Sequence, residues 1–522
     1  MKNIWLVIVL MLIGGAIIWF STIVKPTAVP EKPPVVEAKP IPEAHTTTIL
    51  PAKAEPVSAR KQLDDTFNKG LKWFMAKQLP DGAFPDLEGK SDVAFTAMGL
   101  IILAESPEDV RNAYQAQITS AVNYLLPRQT ETGAVIDAGK FPAFEVYKTS
   151  LALVALRTVS KEKQVSELDK TTAALLERKV TFPFKEPTAL AEIIKFIKET
   201  VPGIDIQIDT TAIKDTQVTF CYNVVDIPLG WALKDMLSLV DWSYSVKDGV
   251  VIISSRPPVN NSVAGRIEAV IKKATEYLVK SQNGPESADK DFGGWGYDEK
   301  KGTVNANLST TAYAMDALHL AGLPKDSEVY KRAVEFLAKV QDSSEYNKFR
   351  ATENSGGFSY SPVESKGGEK TTPDGKKVLK TYGSMTYAGV KSFIYAYLDK
   401  NDPRVQAAYN WIKSNYTLDE NPGLRTDAEP NLGKQGLFYY YHTFAKSLDA
   451  YGEKTLVTAD LSAGQAGKKE HLWANELVGK LAGMQKPDGS WSNEVSRWWE
   501  DFAPLATSYS LMSLNICRKW SD

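Results

Sequence analysis

The sequence predicts a mainly α-helical fold of six helical hairpins, with a small α+β domain inserted between hairpins two and three. Three observations support this prediction. One helical pattern recurs six times, Gly-containing turns precede its copies, and a long segment between the second and third copies does not fit the pattern. A pattern that returns along a chain is typical of an architecture built from repeated supersecondary units.

The repeated helix carries an anchor residue, Thr in five copies and Tyr in one, with a large apolar residue seven positions later. Seven residues make about two helical turns, so the two side chains share one face of a helix. The anchors are Thr96, Thr149, Thr311, Thr386, Tyr441 and Thr507, and the apolar residues are Leu103, Leu156, Leu318, Phe393, Leu448 and Leu514.

The turns before these helices also correspond to one another. Asp-Gly and Gly-Gly supply backbone positions with positive φ, and a Gln and an apolar or aromatic residue flank them. The turns are Gln78–Phe84, Gln129–Val135, Gly293–Trp295, Gly356–Phe358 and Gln485–Trp491, and the fifth copy has only Asn421–Leu424.

The last turn, Q-K-P-D-G-S-W at Gln485–Trp491, looks like the QW repeat of squalene and hopene cyclases. The hairpin pattern is similar to that superfamily, which includes the β subunits of protein prenyltransferases, over roughly residues 60 to 170 and 262 to 520. The resemblance implies an α6/α6 toroid, in which six outer and six inner helices close into a barrel with a cavity at the N-terminal ends of the inner helices. An open α-solenoid of stacked hairpins is the alternative.

The segment between hairpins two and three alternates strand and helix patterns. Helices are expected at Leu190–Thr200 and Leu229–Val240, and a hairpin is expected around Lys247–Gly249. The predicted order, β-α-β-β-α-β-β, resembles the short N-terminal domain of secretins and TonB-dependent receptors. That resemblance implies a module that contacts a protein or acts as a spacer.

The N-terminus carries an uncharged apolar run from Ile4 to Val24. As a helix it would be roughly 30 Å long, enough to span a bilayer core. We expect an uncleaved signal anchor with Lys2 inside, and a cleaved signal peptide is the alternative. The expected domains are a signal anchor (1–25), a Pro-rich linker (26–58), toroid hairpins 1–2 (59–174), the inserted α+β domain (175–258) and toroid hairpins 3–6 (259–522). The chain would be a single-pass cell-membrane protein whose bulk is extracytoplasmic, or periplasmic.

Charge and cysteine content exclude some classes of function. The net charge is −2 without a dense Lys/Arg stripe, so nothing indicates nucleic acid as a partner. Two cysteines, Cys221 and Cys517, are too few for a disulfide framework, and we expect both to be buried.

The catalytic motifs of the resembling enzymes are missing from the sequence. Where the cyclases carry D-x-D-D-T-A, the best match here is Asn307–Ala312, N-L-S-T-T-A, whose amide and hydroxyl groups cannot protonate an alkene. No Cys stands two residues after an Asp, and the four histidines are scattered, so no zinc site is indicated. We therefore expect no cofactor and no metal.

Polar and aromatic residues on or near the expected inner helices are the candidate ligand-binding groups. They are Ser309, Thr310, Tyr313, Asp316, Ser384, Tyr387, Tyr440, His442 and Tyr509. A structural role for the hydroxyls, bonded within their own helices, is the competing interpretation. Two pairs of acids near turns, Asp419–Glu420 and Glu500–Asp501, are interpreted as solvated loop charge.

The sequence thus favours a membrane-anchored binding or scaffold protein over a triterpene cyclase or protein prenyltransferase. Its partner would be an apolar or glycan ligand or an envelope protein. The alternative is an enzyme of the same fold that acts on an isoprenoid or a polysaccharide. The two differ in one expectation, because an enzyme should bring at least two acids to one cavity mouth.

Overall fold

A computed structural model describes residues 58–137, 144–161, 167–247, 249–255, 263–297, 305–460 and 467–522. This part of the chain is mainly α-helical. No helix among these residues is long and apolar enough to cross a membrane. The expected signal anchor and most of the Pro-rich linker lie outside the described residues, so both stay predictions.

Sixteen α-helices and eleven strands form within the described residues. The helices are α1 (Ala59–Met75), α2 (Val93–Ala104), α3 (Glu108–Ala113), α4 (Gln115–Leu125), α5 (Glu145–Lys161), α6 (Glu167–Leu176), α7 (Leu190–Thr200), α8 (Leu229–Ser238), α9 (Val263–Ser281), α10 (Leu308–Leu320), α11 (Glu328–Val340), α12 (Gly383–Tyr395), α13 (Pro403–Ser414), α14 (Leu437–Tyr451), α15 (Trp473–Met484) and α16 (Ala503–Cys517). The strands are β1 (Phe84–Pro85), β2 (Ser91–Asp92), β3 (Lys179–Ala189), β4 (Asp205–Ile208), β5 (Thr219–Pro228), β6 (Trp242–Lys247), β7 (Val250–Ser255), β8 (Glu369–Thr371), β9 (Lys377–Leu379), β10 (Leu456–Asp460) and β11 (Gly467–His471).

Six helices carry the repeated anchor residues, and they contact one another in a closed cycle. The order is α2, α5, α10, α12, α14 and α16, and α16 contacts α2 again. These helices are buried on nearly every face: in α12 all residues from Gly383 to Phe393 are buried. A helix that is surrounded in this way needs apolar or small residues all round rather than on one stripe. We call this set the inner ring.

Six further helices, α1, α4, α9, α11, α13 and α15, bury only one face. In α11 the buried residues are Val329, Tyr330, Ala333, Phe336, Leu337 and Val340. Their spacing follows the helical period and leaves Lys331 and Glu335 exposed. Each of these helices therefore has one side in the main hydrophobic core and one side in solvent.

The repeated Gln joins neighbouring hairpins. In each of five copies its Nε2 donates one hydrogen bond to the Gly carbonyl four or more residues later and one to a backbone carbonyl of one of the six helices that bury only one face. The residues are Gln78, Gln129, Gln282, Gln341 and Gln485. Gln485 reaches the Thr66 carbonyl at 2.9 Å, so the same bond connects the last hairpin to the first helix.

The Gly of the turn is required by close backbone contact. At Gly293, with φ of +87°, a Cβ would lie 1.9 Å from the carbonyl oxygen of Arg332 on α11. At Gly489, with φ of +100°, it would lie 2.6 Å from the Lys69 carbonyl on α1. Only Gly combines the left-handed conformation with this approach.

The anchor threonines hold the turns to the inner ring. The Oγ1 of Thr311 accepts the amide hydrogen of Trp295 at 3.0 Å, and the same bond recurs in four other copies. The pairs are Thr96 with Phe84, Thr149 with Val135, Thr386 with Phe358, and Thr507 with Trp491. In the fifth copy Tyr441 replaces Thr, and its hydroxyl donates to the Leu418 carbonyl at 2.6 Å. The anchors are therefore structural.

A second group of buried hydrophobic residues lies between Leu175 and Ile253. The elements follow the order β3, α7, β4, β5, α8, β6 and β7, which is the order expected from the sequence. β3 pairs antiparallel with β5, and β7 lies between β4, which is parallel to it, and β6, which is antiparallel. That this segment is a secretin-type domain stays a prediction.

The two cysteines differ in environment. Cys517 is buried in α16, as expected. The expectation for Cys221 was wrong: it lies on β5 and is exposed, because the alternating residues of that strand, Phe220 and Tyr222, face the core instead.

The anchor bond can be tested with two adjacent residues of α10. Thr311→Val removes the acceptor of a buried N–H, and we expect the free energy of unfolding to fall by about 1 to 3 kcal/mol. Thr310 is equally buried, but its hydroxyl has no hydrogen-bond partner among the described residues. Thr310→Val should leave stability unchanged or raise it, as measured by urea denaturation of both variants. Equal losses in the two variants would contradict the structural role of Thr311.

Candidate functional site

Two inner helices direct polar stripes toward the middle of the ring. On α10 the stripe contains Ser309, Tyr313 and Asp316, spaced so that they lie on one face. On α14 the residues Tyr439, His442 and Lys446 are spaced in the same way. We call the groups that meet here the central cluster.

Asp316 of α10 is the centre of a buried ion triad. Its side chain is 2% exposed, and the Nζ atoms of Lys391 and Lys446 lie 2.7 and 2.9 Å from its carboxylate oxygens. Lys391 comes from α12 and Lys446 from α14, so the triad connects three successive helices of the ring. It contains two positive charges and one negative charge.

The triad sets the protonation of its members. Burial favours the neutral acid, but the two ammonium groups outweigh it and hold the pKa of Asp316 below its usual value. Burial lowers the pKa of Lys391 to about 8, although the Asp316 carboxylate opposes this shift. Burial, with the charges of Lys446 and Lys391, lowers the pKa of His442 well below its usual range. Near pH 7 the carboxylate is therefore ionised and the imidazole neutral.

Hydroxyl and aromatic groups bridge the ring above this triad. The Tyr147 and Tyr509 hydroxyls are 3.3 Å apart, and Ser309 Oγ lies 2.9 Å from the Tyr439 hydroxyl. The rings of Tyr147 and Tyr313 are 4.3 Å apart between centroids. Helices α5 and α16 are not neighbours in the ring, nor are α10 and α14. The two hydroxyl contacts, Tyr147–Tyr509 and Ser309–Tyr439, therefore connect helices that are not adjacent in the ring.

Five of the nine candidate residues come together in the central cluster: Ser309, Tyr313, Asp316, His442 and Tyr509. The ring of His442 stacks on Tyr509 at 5.7 Å between centroids. Four candidates lie elsewhere. The Ser384 amide donates to Asn421 Oδ1, and Tyr387 packs against Phe444. The Tyr440 hydroxyl donates to the Thr417 carbonyl, and the Thr310 amide donates to Asn307 Oδ1 at the start of α10.

Lys391 and Lys446 were not among the residues predicted from the sequence. Both stand five positions after the anchor of their repeat, and Asp316 stands five positions after Thr311. The equivalent residues in the other three copies are apolar: Ile101, Val154 and Met512. Aligning the repeats position by position would have identified the three charges as one set.

Glu500 corrects a second expectation. It was interpreted as solvated loop charge, but it is 1% exposed and lies at the N-terminus of α14. Its carboxylate accepts the amide hydrogens of Phe438 and Tyr439 at 3.1 and 2.8 Å and one from Asn493 Nδ2 at 2.8 Å. Two unpaired N–H groups of the helix are thereby satisfied from a distant loop.

Two other inner helices are capped in the same way by the following hairpin. The Asp137 carboxylate accepts the Val93 amide hydrogen at the start of α2, and Lys148 bridges Asp137 and Asp92 at 2.8 Å to each. Asn421 caps α12. The polar groups at the N-terminal ends of these helices are therefore bound to backbone or to one another.

Comparisons with known proteins identify structures but no family. No family model and no curated protein matches the chain. Similar solved structures include the apo type II terpene cyclase MstE from Scytonema, at 13% identity over 87% of this chain and 98% of that chain, with a TM-score of 0.37. A variant of that cyclase in complex with its substrate, geranylgeranyl dihydroxybenzoate, matches at 13% identity over 88% and 99%, with a TM-score of 0.39. A protein from Actinoplanes matches at 13% identity over 87% and 99%, with a TM-score of 0.37. Because these TM-scores are below 0.5, we infer neither a family nor an activity from the similarities.

The buried carboxyl group of Glu500 makes stability depend on pH. Burial raises the pKa of Glu500 to about 7, although the N–H groups that donate to its carboxylate lower it. Between the unfolded value near 4.5 and this value, the folded chain holds the proton more tightly than the unfolded chain, so stability falls as pH rises. We expect a loss of up to roughly 3 kcal/mol across this window. Thermal unfolding of the wild type and Glu500→Gln should show this slope in the wild type alone, and parallel profiles would contradict the assignment.

The ion triad predicts a large effect of removing its carboxylate. Asp316→Asn leaves two buried ammonium groups without a counter-charge and should destabilise the fold by about 3 to 5 kcal/mol. The triple variant Asp316→Leu, Lys391→Met, Lys446→Met removes all three charges and should recover most of that loss in the same denaturation experiment. Asp449→Asn, which breaks the more exposed pair with Lys519, is the control and should cost at most about 1 kcal/mol. A triple variant no more stable than Asp316→Asn would refute this account of the triad.

Proposed function

We propose that the repeat region is an α6/α6 toroid of the terpenoid cyclase type that acts as a binding or scaffold protein and not as a cyclase. Residues 1–25 would hold it at the membrane, with the bulk of the chain on the extracytoplasmic side. The closed cycle of inner helices supports the toroid over an open solenoid, as does the Gln485 bond to Thr66. An open stack of hairpins has no contact between its first and last units.

The observation that carries the proposal is the ion triad of Asp316. Protonation of an alkene requires a carboxylic acid that still holds its proton. Asp316 is ionised and shared between Lys391 and Lys446, so it cannot be that acid. The side chains at the position of the cyclase motif also have structural partners, since Asn307 caps α10 and Ser309 bonds Tyr439.

One observation favours the alternative, an enzyme of this fold acting on an isoprenoid or a polysaccharide. The pKa of Glu500, raised by burial to about 7, is in the range of a general acid. However, its two oxygens already accept three N–H groups, and its neighbour Asp501 is exposed. The capping of α14 is enough to explain why Glu500 is buried, so its burial does not require a catalytic role.

Turnover by the full-length chain in detergent tests the proposal. We expect no product by mass spectrometry after incubation with squalene or with geranylgeranyl diphosphate, because no described central group can supply a proton to an alkene. Product formed by the wild type and by Asp501→Asn, but lost in Glu500→Gln, would overturn the proposal in favour of an enzyme. The Asp501 variant controls for the loss of a carboxylate at the adjacent, exposed position.

A further inference from the structure

A cleft of about 510 Å³ lies on the outer wall, away from the central cluster. It is bounded by the end of α13, the hairpin β8–β9, and two loops that include Ser355 and Gly423. Its volume is within the range of small-ligand sites in proteins. No residue of the inner ring, and none of the residues that cap its helices, is part of the described lining of this cleft.

The walls of the cleft are held in place by hydrogen bonds to the backbone. Asp342 is fully buried, and its carboxylate accepts the amide hydrogens of Glu353 and Ser355, both at 2.9 Å. On the other side Asn415 ends α13 by donating from Nδ2 to the Trp411 carbonyl at 2.8 Å. A site whose walls are already fixed loses little conformational entropy when a ligand binds.

The charges of the cleft are unbalanced. Lys370 and Glu353 form an ion pair at 2.6 Å and neutralise each other. Lys380 has no ion-pair partner among the residues that the structure describes. The Arg425 side chain is 58% exposed, and its nearest carboxylate, that of Glu420, is 3.9 Å away and is not part of the lining. Two cations are therefore available to an anionic ligand.

The remaining lining groups are neutral hydrogen-bonding side chains. One face of α13 and the residue after it supply Asn410, Ser414 and Asn415 beside Trp411. The hydroxyls of Ser355 and Thr381, 3.4 Å apart, lie on the opposite wall. Trp411 is the one large apolar side chain of this lining, and the other side chains that line the cleft are charged or hydrogen-bonding groups.

We propose that this cleft binds an acidic oligosaccharide, with Lys380 and Arg425 receiving its carboxylates and the amides and hydroxyls receiving its sugar hydroxyls. The inference rests on the proposed function, because it names the ligand class of a binding protein. Carboxylates held by Arg425, which is exposed, and Lys380, which is half-buried, form charge-assisted hydrogen bonds that weaken with salt. The neutral amides supply selectivity for a sugar over a simple anion.

Calorimetry with the full-length chain and trigalacturonic acid tests the inference, with maltotriose as a neutral probe of the same length. We expect the acidic probe to bind, maltotriose to bind at least about ten-fold more weakly, and added salt to reduce the affinity. Lys380→Gln should weaken binding of trigalacturonic acid about ten-fold, and Arg425→Gln should do the same. Lys272→Gln, which removes an exposed charge from α9, is the matched control and should leave the affinity unchanged.

Three results would overturn the cleft assignment: equal affinity for maltotriose, equal effects of Lys380→Gln and Lys272→Gln, or inorganic phosphate binding as tightly as the acidic sugar. The turnover assay distinguishes a failure of the cleft assignment from a failure of the proposed function. Absent glycan binding with no turnover refutes the cleft alone, whereas turnover of squalene or geranylgeranyl diphosphate refutes the proposed function whatever the cleft binds.

Discussion

The hydrogen bond from a turn amide to the anchor threonine is the contact on which the repeat architecture depends. A turn inserted between two layers of helices buries its backbone polar groups, and each of these needs a partner. At the first turn of hairpin three, Thr311 binds the Trp295 amide while Gln282 binds two carbonyls. With those groups satisfied, Trp295 can be fully buried and its indole can donate to Leu278.

That arrangement determines what the middle of the ring can contain. Inner helices packed on all sides have few positions left for polar residues, and those positions face inward, where their partners must come from other helices. A carboxylate placed there is tolerated only with opposite charges at short distance. Lys391 and Lys446 reach Asp316 only when α10, α12 and α14 are aligned so that the three residues lie at the same level along the helix axes. Polar groups in the middle thus constrain how the ring packs.

Local patterns predicted the helices and turns well, because the period of a helix and the conformation of Asp-Gly or Gly-Gly are encoded within a few residues. Contacts between hairpins were not predictable from one stretch of sequence. Glu500 caps a helix that begins some sixty residues earlier, and nothing beside it in the chain indicates burial. Tyr440 was a candidate because it lies on an expected inner helix, yet residues at different positions of a helix point in different directions, and the Tyr440 hydroxyl donates to the Thr417 carbonyl. The charged triad was visible only in the alignment of repeats.

The packing of the inner helices also makes the ring centre and the outer cleft different as places for a ligand. A ligand in the centre must displace contacts such as Ser309–Tyr439 and Tyr147–Tyr509, and each displaced buried group would need a new partner from the ligand. On the wall, Arg425 is exposed and Lys380 is half-buried, so an anion that binds there does not have to break a buried contact between side chains. Between two polar sites in one protein, the site that keeps charged groups without a close counter-charge binds a small anionic ligand more readily. In this chain that site is the cleft beside α13, where the loop held by Asp342 and the cap at Asn415 keep its groups in place.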